Sequence, residues 1–225
     1  MHRFRERLIS LPGKSANTDG LTLLECVVAI AVIGITTAVI APVMVFSIAT
    51  RVQNQKAEQA LQVAQGEVEK IRLLVERGGD YSTELASYPV TTAASVAGTG
   101  APNTLQASLN STTTNTAKGI NIDDDADDEF AVQVFRSAGT PASSPVPIAF
   151  DLGVRVYDRD ALQNNSGSLQ TDPAGLNFTS GEGERGTRPL AVIYTKIFRG
   201  DQEGALCQYR QYIDSTASTA GMDCS

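Results

Sequence analysis

The sequence predicts an α+β protein in which one very long N-terminal helix is followed by a small antiparallel β-sheet. Three observations carry that expectation. Between Leu21 and Ile48 the only charged residue is Glu25. From Arg51 to Arg77 apolar residues recur at helical spacing. Beyond Phe130, short runs rich in β-branched and aromatic residues alternate with turn-forming stretches, and the connections carry no helical pattern.

Residues 1–20 are polar, and Pro12, Gly13 and Gly20 oppose a helix. Arg3, Arg5, Arg7 and Lys14 against Glu6 and Asp19 give them a net charge of +2. They read as a processing leader. A secretory signal peptide would carry its apolar stretch before the cut. Here the apolar stretch begins directly after Gly20, so cleavage there would leave it on the mature chain.

Residues 21–48 read LTLLECVVAIAVIGITTAVIAPVMVFSI. As a helix, these 28 residues would span roughly 42 Å at 1.5 Å per residue, against a hydrocarbon core of about 30 Å. The segment is long enough to cross a membrane. The arginines before it place the N-terminus in the cytoplasm and the body in the periplasm or outside.

Residues 49–79 extend the helix. Ala57, Ala60, Ala64, Val68, Ile71 and Val75 make one stripe, flanked by Leu61, with opposite charges spaced three or four apart on the exposed face. Gly78-Gly79 is a stop, so one helix from Leu21 to Arg77 is expected.

Residues 80–225 form the predicted head. No charged residue occurs between Glu84 and Lys118, where Ser, Thr, Ala, Asn and Gly dominate; a long irregular loop is expected there. Strands are expected at Phe130–Phe135, Phe150–Tyr157 and Leu190–Phe198, with a weaker fourth at Leu206–Ile213. In the second of these, Phe150, Leu152, Val154 and Val156 share one face, while Asp151, Arg155 and Tyr157 share the other.

The formal net charge is −7, and loss of the leader would leave −9. A body this acidic, with no basic stretch, disfavours nucleic-acid binding. His2 is the only histidine, and no CxxC or HExxH occurs. Zinc sites and His-based triads therefore have no material, no cofactor is expected, and the chain reads as a non-enzyme.

The sharpest motif is Gly20-Leu21-Thr22-Leu23-Leu24-Glu25 at the head of the apolar run. A carboxylate inside a membrane helix costs about 2.5–3.5 kcal/mol on insertion scales unless it finds a partner. Cleavage after Gly20 would create one, the new α-amino group of Leu21 on a neighbouring subunit. These residues resemble the class III signal of type IV prepilins and of type II secretion pseudopilins. Leu21 stands where Phe is commonest, and the leader is longer than the most typical ones.

The resemblance runs from Asp19 to Arg77 and extends to the remainder only in architecture. It implies a type IV pilin-like fold, cleavage between Gly20 and Leu21 by a prepilin peptidase, N-methylation of Leu21, and assembly through Thr22 and Glu25. The implied partners are other pilin or pseudopilin subunits, an inner-membrane platform protein and an assembly ATPase. The implied location is the inner membrane, single-pass, followed by a periplasmic or cell-surface filament. Pro42 sits where many members have a helix-loosening proline. The expected function is that of a minor pilin or pseudopilin. An anchored adhesive or ligand-binding module that never enters a filament is the alternative.

Two further features stay open at the level of sequence. Cys207 and Cys224 enclose sixteen residues; a disulfide there would contribute about 3 kcal/mol in the chain-entropy model, and many pilins close a C-terminal loop in this way. Two free thiols are the other reading. Cys26 reads as a small apolar packing residue. Asp123 to Glu129 is either a solvated acidic loop or a set of oxygen ligands for Ca²⁺, without the EF-hand's glycine and terminal glutamate.

Overall fold

Helix α1 runs from Leu23 to Glu76, 54 residues, in the computed structural model, which describes residues 22–107, 113–123, 127–142, 144–175, 183–200 and 204–214. The chain separates into two compact units, Met1–Ser47 and Ile48–Ser225.

In the first unit the described residues form the apolar part of α1, and its large side chains are exposed, from Leu23 and Leu24 through Ile33 and Val39 to Val45 and Phe46. A helix is the one open structure that satisfies its own backbone in lipid. Two threonine hydroxyls are satisfied locally as well. Thr36 Oγ1 donates to the carbonyls of Val32 and Ile33, both at 2.9 Å, and Thr37 Oγ1 donates to Ile33 O at 2.7 Å. Pro42 lies inside the helix, where it supplies no amide to the preceding turn.

The second unit begins with the amphipathic part of α1. Ala60, Ala64, Val68, Ile71 and Val75 are buried along one stripe, as the spacing predicts, whereas Leu61 stays exposed and Ala57 is only partly covered. Small residues at 60 and 64 let the helix backbone lie close to what it covers. The helix ends where Gly78 and Gly79 take φ of 69° and 77°, the left-handed region that L-residues avoid.

Five strands follow: β1 (Thr104–Gln106), β2 (Thr116–Ile120), β3 (Phe130–Arg136), β4 (Ala149–Asp158) and β5 (Ala191–Phe198), in spatial order β1-β2-β3-β4-β5. Of the short helices, α2 (Ser82–Leu85) precedes the strands, α3 (Arg159–Asn164) lies between β4 and β5, and α4 (Ala205–Ile213) follows β5. Pairs β2–β3, β3–β4 and β4–β5 are antiparallel, but β1–β2 is parallel. The sheet is therefore mixed, which corrects the all-antiparallel expectation. In the parallel pair β1 lies within the charge-free segment that reads as loop and β2 straddles its end at Lys118; the two strands have three and five residues with little β-branched apolar content.

The main core lies between α1 and one sheet face. Phe130, Val132 and Val134 of β3, Phe150, Leu152, Val154 and Val156 of β4, and Ile197 of β5 pack with the helix stripe and with Tyr81, Leu85 and Tyr88. The period-two alternation read from β4 selects this face.

Residues 205–213 form a helix, not the expected fourth strand. The segment holds Tyr209, Tyr212 and Ile213, types that suit a strand, but its tyrosines are covered at helical spacing. Ala205 is buried, and Tyr209 and Tyr212 are partly covered, three or four residues apart. The Tyr209 ring lies 4.3 Å from that of Phe198, and Tyr212 Oη is 3.0 Å from Ser137 Oγ.

The opposite face of the sheet is covered too. Ala117, Ala131, Tyr157 and Leu162 form a second apolar cluster. Beside it Arg155 is fully buried, contrary to the solvent-facing place its alternation implies. Its guanidinium donates through Nη1 to Thr99 O at 2.7 Å and Gly100 O at 3.2 Å, through Nη2 to Ala97 O at 3.0 Å, and through Nε to Tyr194 Oη at 2.8 Å. Its carbon centre lies 4.9 Å above the Phe135 ring. Gln133, also buried, donates to Gly100 O at 2.9 Å and Thr114 O at 2.6 Å. Two polar side chains of the sheet thus tie down the charge-free segment through its carbonyls. Gly153 is what admits the Phe135 ring under Arg155: a Cβ there would fall 2.5 Å from a ring carbon.

This polar and aromatic layer makes alkaline pH a specific stress. Burial pushes the Tyr157 hydroxyl, which donates to Gln170 O at 3.0 Å, up from 10.0 to about 12. A hydrogen bond to Asp151 holds Lys196 above its ordinary value as well. Both groups keep their protons longer folded than unfolded, so the stability they contribute is complete below about pH 10 and is lost as pH rises further. Chemical denaturation between pH 10 and 12 should show unfolding free energy falling by about 1.4 kcal/mol per pH unit from Tyr157. Replacing Tyr157 with Phe should flatten that slope, and an unchanged slope would show that Tyr157 is not its source.

Candidate functional site

Gly20 and Leu21, the expected cleavage and methylation residues, and all of the leader lie outside the described residues. The described part of the motif begins at Thr22, immediately before α1. Thr22 Oγ1 accepts from the Glu25 amide at 3.3 Å, and Thr22 O accepts from the Cys26 amide at 3.1 Å. Thr22 therefore caps the helix, and Thr22-Leu23-Leu24-Glu25 has the spacing of a capping box. That spacing signals the cap in the sequence itself. The cap satisfies one of the amides that a helix start leaves without an intrahelical partner.

The cap fixes Glu25 in the first turn, where the aligned peptide dipoles favour negative charge. The side chain is exposed, and among the described residues its carboxylate has neither a hydrogen-bond nor an ion-pair partner. It is the one acidic group amid the exposed apolar surface from Leu23 to Ile48. Chemically the arrangement is a carboxyl group without a partner among the described residues, on an apolar helix surface. It can accept a cation or N–H donors from another chain. Cys26, next to it, is an exposed free thiol.

Cys207 is buried in α4, two residues from Ala205. Its expected partner Cys224 lies outside the described residues. The acidic run is described in part. Asp127 lies 3.3 Å from Arg159 Nη1, and the Glu129 carboxylate accepts from the Ile122 amide at 2.7 Å. Residues 124–126 lie outside the described set, and among the described residues no three His, Cys, Asp or Glu side chains are grouped to share a metal.

The chain matches no protein-family model, no curated protein and no solved structure.

Proposed function

We propose that this chain is a structural subunit of a filament of the type IV pilus or type II secretion class, a minor pilin or pseudopilin assembled through its N-terminal helix. The observation that carries the reading is Glu25: a single carboxylate without a partner among the described residues, held by the Thr22 cap at the start of a helix apolar from Leu23 to Ile48. An anion so placed is costly in lipid unless another subunit neutralises it. The α-amino group released by cutting between Gly20 and Leu21 is the nearest chemistry that could do so.

On this reading residues 1–20 are a leader, 21–48 a membrane anchor and assembly stem, 49–79 an extension of that stem, and 80–225 a periplasmic or extracellular head of pilin-like fold closed by Cys207 and Cys224. A prepilin peptidase, a platform protein and an assembly ATPase are its partners, and it catalyses no reaction. The N-terminus is cytoplasmic while the chain resides in the inner membrane. An anchored adhesive module shares the anchor but gives Glu25 no task.

Processing tests the reading first. Intact-mass and N-terminal peptide analysis of the membrane-extracted protein should find a chain beginning at N-methyl-Leu21. A chain that still begins at Met1 in cells with an active prepilin peptidase would contradict the proposal.

A further inference from the structure

The second unit contains a cavity of about 200 Å³ bounded by α1, by the end of β4 with α3, and by the 183–186 turn. That is smaller than the roughly 300–1,000 Å³ of pockets that enclose a drug-sized molecule, so it suits a small polar group. Val52 and Leu190 supply apolar wall, and the lining includes four charged side chains: Lys56, Asp158, Asp160 and Arg185.

Two of these charges cancel. Lys56 Nζ lies 2.7 Å from Asp158 Oδ2. The other two do not. The Arg185 guanidinium uses Nη1 to donate to Gln53 O at 2.9 Å. Among the described residues it has no carboxylate partner, and the Asp160 carboxylate has no cation. A lone anion in this cavity would meet Asp160, and a lone cation would meet Arg185. A ligand carrying both charges satisfies both.

Position along α1 identifies its source. Val52 is one turn, about 6 Å, beyond Ile48, the last residue of the apolar run. The head-group layer on each side of a bilayer is of that thickness, about 5–7 Å. Val52, at the cavity's rim, is itself 53% exposed, as is most of Ile48 one turn before it. Arginine's fork matches phosphate oxygens, and a carboxylate matches an ammonium.

We infer that this cavity binds the head group of a zwitterionic phospholipid, its phosphate on Arg185 and its ammonium on Asp160. The inference rests on the reading of residues 21–48 as a membrane anchor, not on filament assembly.

The test uses the full chain in mild detergent, offered an equimolar mixture of short-chain phosphatidylethanolamine and phosphatidylglycerol, with native mass spectrometry of the retained lipid. Wild-type protein should retain phosphatidylethanolamine about tenfold over phosphatidylglycerol, the discrimination expected from one charge-assisted contact. Asp160→Asn should abolish the preference by gaining phosphatidylglycerol, an outcome misfolding would not give. Arg185→Gln should lose both lipids. Equal retention of the two lipids by wild-type protein, or an unchanged preference in Asp160→Asn, would overturn the assignment. Soluble phosphoethanolamine displacing the lipid at equal concentration would support the head-group chemistry and overturn the lipid as its source. Sedimentation of the wild-type chain with membranes is scored separately: recovery in the soluble fraction would overturn the anchor and this inference together.

Discussion

Replacing Arg155 with Ala should lower the melting temperature of the full chain in detergent by about 10 °C or more. The side chain is fully buried and donates to three main-chain carbonyls and to Tyr194 Oη. Truncation leaves those acceptors without their donor, Thr99 O in a buried position and the others partly open to water, and uncovers the underside of Phe135. A hydrogen bond to a charged group contributes about 1.5–3 kcal/mol, so losing this set removes a large share of the roughly 5–15 kcal/mol that holds a domain together. At 150–250 residues, each kcal/mol moves the midpoint by about 2–4 °C. Arg155→Lys should recover only part of the loss, because one ammonium cannot reach Ala97 O, Thr99 O and Tyr194 Oη at once. Arg155→Met separates packing from ligation, since it refills the space without a donor. Thermal unfolding followed by near-ultraviolet circular dichroism gives all three values. Wild-type stability in Arg155→Met would show that filling the space, and not ligating the carbonyls, is what matters.

Arg155 also marks where sequence reasoning stops. Alternation along β4 sorts its side chains correctly into two faces, because Phe150, Leu152, Val154 and Val156 form an unbroken apolar set. It does not reveal that the second face is roofed. The roof is residues 96–100, drawn from a segment with no charge and little apolar patterning, whose contribution is main-chain oxygen. Carbonyls leave no trace in a residue pattern. For the same reason β1 and β2 escape notice: Thr104-Leu105-Gln106 and Thr116-Ala117-Lys118-Gly119-Ile120 owe their place to pairing and to Gln133 more than to propensity.

Helix α1 is legible for the opposite reason. Its first part is apolar on every side, and the second repeats small and branched residues at a helical period that only one structure can bury. The α4 segment falls between these cases. Leu206, Tyr209, Tyr212 and Ile213 suggest a strand by type, but Ala205, Tyr209 and Tyr212 are spaced for a helix face against Phe198 and Ser137. The N-terminal motif is described only in residues 22–25. Gly20 and Leu21 lie outside the described residues, while Thr22 and Glu25 stand in the first turn, where the T-x-x-E spacing places a cap and its acid.

Filament incorporation of Glu25→Ala tests the account most directly. The substitution removes a polar group from an apolar span, so membrane insertion and cleavage after Gly20 should proceed at wild-type level. Incorporation should fall sharply. A neighbour's Leu21 amine would lose its counter-charge inside lipid, and the stagger between helices would lose its guide. Glu25→Asp should retain part of the incorporation, because its charge remains while its reach shortens. The measurement is the ratio of this subunit in sheared or cross-linked filament fractions to its level in the membrane, for wild type and both variants. The account predicts a wild-type chain present in filaments, a Glu25→Ala chain confined to the membrane, and Glu25→Asp between them. A Glu25→Ala chain that enters filaments at the wild-type ratio would contradict it.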